Sequence, residues 1–334
     1  MKRFALLLSL CLVLLAACSD DDETVDSTEA AEEEEEEVVY PSGDSPYIYE
    51  VLEFCPAPGQ FVNSLPEYED GDTEADMIAK CTEYIAGVEN GSLISLGTFG
   101  GYITFRFDHK VPNGYGSDIR IMGNGFLASA DPSGLTYGGS FEPGIVQVSF
   151  DTNDNGLPDD EWYEIWGGAH DEGIQGYSIT YYAPTTEEIV DDYIPYVDNQ
   201  GNSGYEPKNT FHKQSYFPQW LDADSLTFTG TLLPDNAIDQ SGNGTYWVLY
   251  QYRKPYGYVD EVPNSSDFAT IDFDWAVDSD GNPANLKYVD FIRVYSAQHQ
   301  QCGWLGETST EIAGATDLHF TGDTIVVDTT FTNY

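Results

Sequence analysis

Between Glu142 and Trp166 the chain switches from strand to loop and back to strand, and this limits the folds open to it. Val146, Val148 and Phe150 alternate with Ile145, Gln147 and Ser149, the period-two pattern of a strand with two different faces. An acidic, Asn- and Gly-rich loop runs from Asp151 to Glu161, and Trp162 to Trp166 alternates again. The same pattern recurs over Tyr102–Asp108, Ile119–Met122, Tyr177–Tyr182, Ser225–Leu233, Tyr246–Tyr252, Ile271–Trp275 and Tyr288–Tyr295. Tyr47–Phe54 reads as a first strand and Ile325–Asp328 as a last edge. Roughly ten strands at irregular spacing, with no internal repeat, predict an all-β fold: a two-sheet, jelly-roll-like β-sandwich with long loops.

One helix interrupts the strands. Thr73 and Asp76 fit a capping box, although Asp stands where Glu or Gln is usual, and Ile78, Cys81 and Ile85 share a face. Gly87 supplies the stop, so the helix is expected over 73–86, plugging one end of the sandwich.

The first forty residues read as processing and tethering. Lys2-Arg3, an apolar run to Leu15 and Leu15-Ala-Ala-Cys18 resemble a bacterial lipoprotein signal peptide, with residues 1–17 removed and Cys18 lipidated. The apolar run is too short to span a bilayer. Ser19 to Glu37 holds twelve acidic residues and no basic one, so residues 18–45 are expected to form a disordered acidic tether. A single ligand-binding domain, 46–334, follows. Its location is expected to be the outer membrane, facing the exterior, because Ser19-Asp-Asp-Asp-Glu23 resembles the acidic export signal of Bacteroidetes lipoproteins.

A formal charge of −46 with only twelve Lys and Arg repels phosphate backbones and excludes nucleic acid as a partner. Of the cysteines in the mature body, Cys55 and Cys81 lie in one short segment and are the pair expected to bridge, stabilising by roughly 3 kcal/mol. Cys302 would then be a buried thiol.

Three groups of residues could carry chemistry. Asp151, Asn153, Asn155 and Gly156 match the first half of an EF-hand-like calcium loop, with the Leu157 carbonyl and Asp159 as further ligands. Trp162 replaces the twelfth-position Glu, so a self-bonded loop is the competing reading and calcium a structural brace. Asp278-Ser-Asp-Gly-Asn282 is a second, weaker calcium candidate, for which a plain turn is the favoured reading.

Aromatic side chains form the second group. With Tyr163 and Ile165 facing the core, Trp162, Glu164 and Trp166 share the other face, which either stacks on a flat ligand or is core in its turn if both sheet faces are covered. The long segment between Ala183 and Ser225 carries Phe211, His212, Tyr216 and Trp220, and Cys302-Gly-Trp304 is similarly loop-like. Trp166, His212, Tyr216, Trp220 and Trp304 are therefore the candidate ligand-binding residues, while Trp247 and Trp275, in strands, are assigned to the core.

Catalytic motifs form the third group, and they are missing. The chain has no G-x-S-x-G, no H-E-x-x-H and no phosphate-binding Gly loop. His170-Asp171 reads as a solvated turn. With 58 acidic residues, a hydrolytic carboxylate pair cannot be singled out. The expectation is a protein that is not an enzyme.

Several strings resemble a known family: Ser95-Leu-Gly-Thr-Phe-Gly-Gly-Tyr-Ile-Thr-Phe-Arg-Phe-Asp108, Glu142-Pro-Gly-Ile-Val146, Asp159-Asp-Glu-Trp-Tyr163, Asp198-Asn-Gln-Gly-Asn202, Trp275-Ala-Val-Asp278 and Cys302-Gly-Trp-Leu-Gly-Glu-Thr-Ser-Thr310. They look like Bacteroidetes cell-surface lipoproteins of the cobalamin-binding, BtuH-type family, over about residues 47 to 320. Asp290-Phe-Ile-Arg-Val-Tyr295 is similar to galactose-binding-like jelly-roll modules. The resemblance implies capture of cobalamin or another corrinoid for an outer-membrane transporter. A glycan-binding module with the same anchor is the alternative, and a secreted glycoside hydrolase a more distant one.

Overall fold

The computed structural model describes residues 45–129, 137–320, 322 and 324–330. The leader, Cys18 and all of the tether but Ser45 lie outside the described residues. The chain is all-β, with antiparallel strands in several sheets and, among the described residues, one α-helix. Among the described residues no helix is long and apolar enough to cross a membrane.

The largest sheet has seven strands. Its path runs Glu50–Cys55, Tyr102–Arg106, Phe291–Ser296, Gly144–Ser149, Trp162–Ile165 and Ala276–Val277, and Tyr258–Val259 pairs with the start of Gly144–Ser149. The alternation read along 145–149 holds: Val146 and Val148 enter one core and Ile145 another. Both faces of the sheet are therefore covered. On the first face, Ile103, Phe105, Val146, Val148, Ile292 and Val294 pack with the helix and with Ile119, Ile271 and Ala315 of a three-stranded sheet. On the second, Ile145, Tyr258 and Tyr295 meet Tyr177, Ile179 and Phe228 of a four-stranded sheet, making the sandwich. Burying such side chains contributes about 1.5–3 kcal/mol each, so these two apolar layers dominate stability.

The helix spans Glu74–Ile85 and starts as its sequence predicts. Thr73 accepts from Asp76 N, and the Asp76 carboxylate accepts from Thr73 N at 2.9 Å, completing the capping box with Asp in place of Glu. Met77, Cys81 and Ile85 are buried. The helix lies against the first strand, where Thr82 Oγ1 accepts from Val51 N at 3.0 Å, and joins the first core.

Other expectations change. The observed strand is Thr270–Ile271, so only Ile271 of the predicted strand 271–275 is extended. Asp272 then accepts from Asp274 N, and Phe273–Trp275 turns as a 3-10 helix. Trp275 is thus neither in a strand nor fully buried, and Trp247 is half-buried in its strand. The segment 183–225 is not all loop: Ile194–Asp198 pairs with Ser203–Glu206 across a turn in which Asp198 Oδ1 accepts from Gln200 N and Asn202 N. No strand forms at 325–328, although the Ile325 carbonyl accepts from Ser117 N at 2.8 Å. Cys55, Cys81 and Cys302 are all unbridged, because Cys81 turns into the first core from the helix while Cys55 stays half-buried at the end of its strand.

Candidate functional site

The loop 302–309 shapes the most distinctive cleft. Gly303 and Gly306 have φ of 59° and 95°, a region that suits glycine, and they let the chain turn back so that Cys302 N donates to the Gly306 carbonyl at 2.7 Å. A Cβ at Gly306 would sit 2.8 Å from Gln60 Nε2. Without one, Gln60 lies flat against the loop: its Nε2 donates to the Leu305 carbonyl at 2.7 Å and its backbone N to Glu307 Oε1 at 2.6 Å. The cleft between them holds about 290 Å³ and is lined in part by Phe61, Asn124, Glu142, Leu305, Glu307 and Glu311.

Aromatic residues flank it. Trp304 is 52% exposed, and its Nε1 donates to the Thr245 carbonyl at 3.2 Å. Phe211, 72% exposed, stands edge-on to it with ring centres 6.4 Å apart. Asn209 joins the two loops by donating from Nδ2 to the Trp304 carbonyl at 2.5 Å. His212 packs edge-on against Phe61 at 4.8 Å. Two exposed, positioned aromatic rings beside a cleft of mixed apolar and carboxylate lining form a surface on which a flat ligand face can stack.

The cleft floor is acidic. Oxygen atoms of Glu142, Asp260 and Glu311 all lie within 4.8 Å of one another, and Glu307 is buried nearby. Ser309 N donates to Glu142 Oε1 at 3.2 Å, and Glu311 N donates to Asp260 Oδ2 at 3.2 Å. Asn124 N donates to Asp260 Oδ1 at 2.5 Å. Asp260 has φ 61°, a conformation costly for a non-glycine residue, and a Cβ at Gly123 would lie 2.7 Å from its Oδ1. Burial pushes the Glu142 carboxyl up to about 7 and that of Glu307 to about 8. Asp260 and Glu311 are pushed well above the ordinary range, first by burial and then by the neighbouring carboxylates.

Of the residues singled out in sequence, Trp304 and His212 lie next to this cleft without lining it, Trp304 preceding the lining residue Leu305 and His212 packing on the lining residue Phe61. Two others are core instead. Trp220 is 8% exposed and stacks between Phe54 at 5.6 Å and Tyr68 at 6.2 Å. Tyr216 is fully buried, where its hydroxyl accepts from Asn209 N and donates to the His212 carbonyl. Tyr216 therefore supports the aromatic loop from beneath and presents no face to a ligand.

Trp166 lies elsewhere, half-buried against His170 at 5.0 Å. Nor is His170 on a solvated turn: it is fully buried, receiving a hydrogen bond from Gly167 N at Nδ1, with Nε2 3.0 Å from Glu164 Oε1. Glu164 also accepts from Thr231 Oγ1 at 2.6 Å and Tyr295 Oη at 2.9 Å. Burial raises its pKa, but these partners outweigh it and hold the carboxyl below its ordinary value. Trp162 stacks on the Arg293 guanidinium at 4.1 Å, so the protein's own side chains occupy the face at Trp162 and Glu164, while Trp166 lines a separate cavity of about 280 Å³ with Tyr256, Trp275 and Pro283.

The Asp151 loop is bonded within itself. Asp151 accepts from Asn155 N at 3.1 Å and Gly156 N at 2.7 Å, and Asn155 Nδ2 donates to Asp159 at 3.2 Å. Leu157 N donates to Asn155 Oδ1 at 2.8 Å, and Asn153 is exposed. A cavity of about 470 Å³ opens beside it, but its Lys110 lies 3.6 Å from both Asp290 and Asp154, and its Arg106 pairs with Glu50. A further apolar cavity of about 490 Å³, lined by Ile238, Tyr252, Val262 and Phe268, contains no carboxylate.

Sequence reasoning did not find Gln60, Glu142, Asp260, Glu307 and Glu311 as a group. The strings Glu142-Pro-Gly and Cys302 to Thr310 bracket two of its segments, but nothing in spacing joins them to Asp260. Comparison with protein-family models gives no match, and comparison with curated proteins gives none either.

Proposed function

We propose that this chain is a lipid-anchored, non-enzymatic capture protein whose ligand docks on the Phe211–Trp304 rim of the cleft, with cobalamin or another corrinoid as the leading ligand. The observation that carries the reading is the exposure of two large rings whose loops are nonetheless tied together by Asn209. Holding exposed rings in place lowers the ordering cost of binding. Asn209 and Gln214 place amide groups around the rim, and Gln214 Nε2 already donates to the Gln60 carbonyl. Such a rim suits a bulky ligand with an apolar face and many amide side arms. The resemblance to cobalamin-binding surface lipoproteins favours the corrinoid over other ligands of that shape.

The leader ending at Cys18 and the acidic run after it would hold the domain at the outer membrane, beside a transporter that receives the ligand. The acidic surface tolerates an uncharged or weakly charged ligand and disfavours anionic ones.

A glycan is the second reading, because the cleft beside the rim offers Ser140, Ser309 and carboxyl groups to sugar hydroxyls. Calorimetry with cyanocobalamin and with a panel of soluble oligosaccharides separates the two. Micromolar or tighter binding of cyanocobalamin by the protein lacking residues 1–37 is expected. Heat from an oligosaccharide alone would replace the corrinoid by a glycan, and release of reducing ends would make the protein a hydrolase.

A further inference from the structure

We propose that Glu142, Asp260 and Glu311 bind one hard divalent cation, calcium, at the floor of the cleft. Their oxygen atoms converge within 4.8 Å of one another from three separate segments of the chain. Three carboxylates at that spacing, withdrawn from water, repel one another unless a positive charge sits among them or protons neutralise them. No basic side chain supplies that charge: among the described residues, the ion pairs formed by Lys, Arg and His all involve other acids.

Gln60 is an independent pointer to the same place. It is 5% exposed and lines this cleft, and its Oε1 has no hydrogen-bond partner. The other end of its amide is committed to the Leu305 carbonyl, so the oxygen cannot be exchanged for the nitrogen by a flip without losing that bond. A buried amide oxygen left unpaired costs about 1–3 kcal/mol. A cation in the cleft, directly or through one of its waters, gives that oxygen a partner.

The donor set selects the kind of ion. Carboxylate and amide oxygens suit calcium or magnesium, whereas zinc and copper favour imidazole and thiolate. Cys302 lines the cleft, but its Sγ is engaged with Thr308 Oγ1 at 3.8 Å. Calcium fits better than magnesium, because magnesium keeps several waters in a strict octahedron and a buried carboxylate floor strips them. The backbone is built to hold the trio: Asp260 is fixed in a left-handed conformation, and Gly123 lets the chain approach its carboxylate. This site is distinct from the Asp151 loop and does not depend on what docks at the rim.

The test is calcium stoichiometry and melting temperature for the full chain after chelation, titrated with CaCl2 and separately with MgCl2. Wild type should bind calcium and melt several degrees higher with it. Glu311→Gln, which keeps shape and removes one charge, should bind one ion fewer and lose most of the rise. Asp151→Asn should keep the ion that Glu311→Gln loses. Equal stoichiometry in Glu311→Gln and wild type overturns the site, as does no calcium binding by wild type. An equal response to magnesium overturns the choice of calcium. Should Glu311→Gln fail to fold, Glu142→Gln at the less buried edge gives the same reading. Native mass spectrometry of Asp151→Asn gives an independent one, and a bound ion absent there overturns the assignment.

Discussion

Trp304 Nε1 donates to the carbonyl of Thr245 at 3.2 Å, which pins an indole whose ring remains half in solvent. A ring held this way loses little freedom on meeting a ligand. Trp304→Ala and Phe211→Ala should each weaken ligand binding tenfold or more, as expected of an aromatic hot spot worth about 2 kcal/mol. Folding stability should change by no more than about 0.5 kcal/mol, the usual range at exposed positions. Calorimetry and thermal melting check both halves. Unchanged affinity in both variants would move the ligand away from the rim, with the apolar cavity at Tyr252 as the next place to look.

Trp220 should behave in the opposite way. Its ring fills the core between Phe54 and Tyr68, so Trp220→Ala is expected to cost about 3–5 kcal/mol. Ligand affinity, measured below the melting transition, should stay within a factor of about two, since the residue touches no exposed surface of the site. Trp220→Phe should cost much less. It keeps the stacking and removes an indole N–H that lacks a hydrogen-bond partner. Chemical denaturation of the three proteins decides it, and a variant that folds normally yet loses the ligand would return Trp220 to the site.

His319 predicts a pH dependence. Burial lowers its pKa, but Asp118 and Asp317, at 3.3 and 2.7 Å, outweigh this and hold it at about 9. His109, bonded to Asp108 and Asp317, is raised as well. A histidine whose folded pKa lies above its unfolded value near 6.5 contributes stability that is complete below 6.5. That contribution falls as pH rises and is gone above about 9. Urea unfolding of wild type should therefore show this contribution at pH 6 and lose it by pH 9.5, and His319→Gln should flatten the slope across that window. A variant with the wild-type slope would refute the assignment.

The three unbridged cysteines give a chemical prediction. A reductant should leave the melting temperature unchanged, and unfolding the protein without residues 1–37 should expose three titratable thiols. Slow reaction is expected in the folded state, because burial pushes the thiols of Cys55 and Cys302 up to about 11 and 12 and keeps them protonated. A count of one thiol would mean that two of the three cysteines are bridged.

The parts of the fold governed by neighbouring residues were legible in sequence. The capping box at Thr73, the alternation through Ile145 to Ser149 and the strand ending at Tyr295 all depend on contacts a few residues away. Trp220 and Tyr216 were misread because loop-like sequence says nothing of depth: turns rich in Pro and Gln can carry their aromatics inward. Glu142, Asp260 and Glu311 were hidden for a different reason. They meet only after the strands holding them have paired, and among so many acids no spacing rule marks three as neighbours. Asp272 shows the same limit locally, since its side chain accepts from Asp274 N and converts an alternating pattern into a turn.

The central sheet is shielded on both faces, and the aromatic rim rides on two loops, one after Phe291–Ser296 of that sheet and one after Ser203–Glu206 of the four-stranded sheet. Recognition and architecture are thereby uncoupled: changes at Phe211 or Trp304 are not transmitted to the packing of Val148 or Ile292. A scaffold of this kind can be retargeted to a new molecule by exchanging two or three loop tips, without a new folding solution each time.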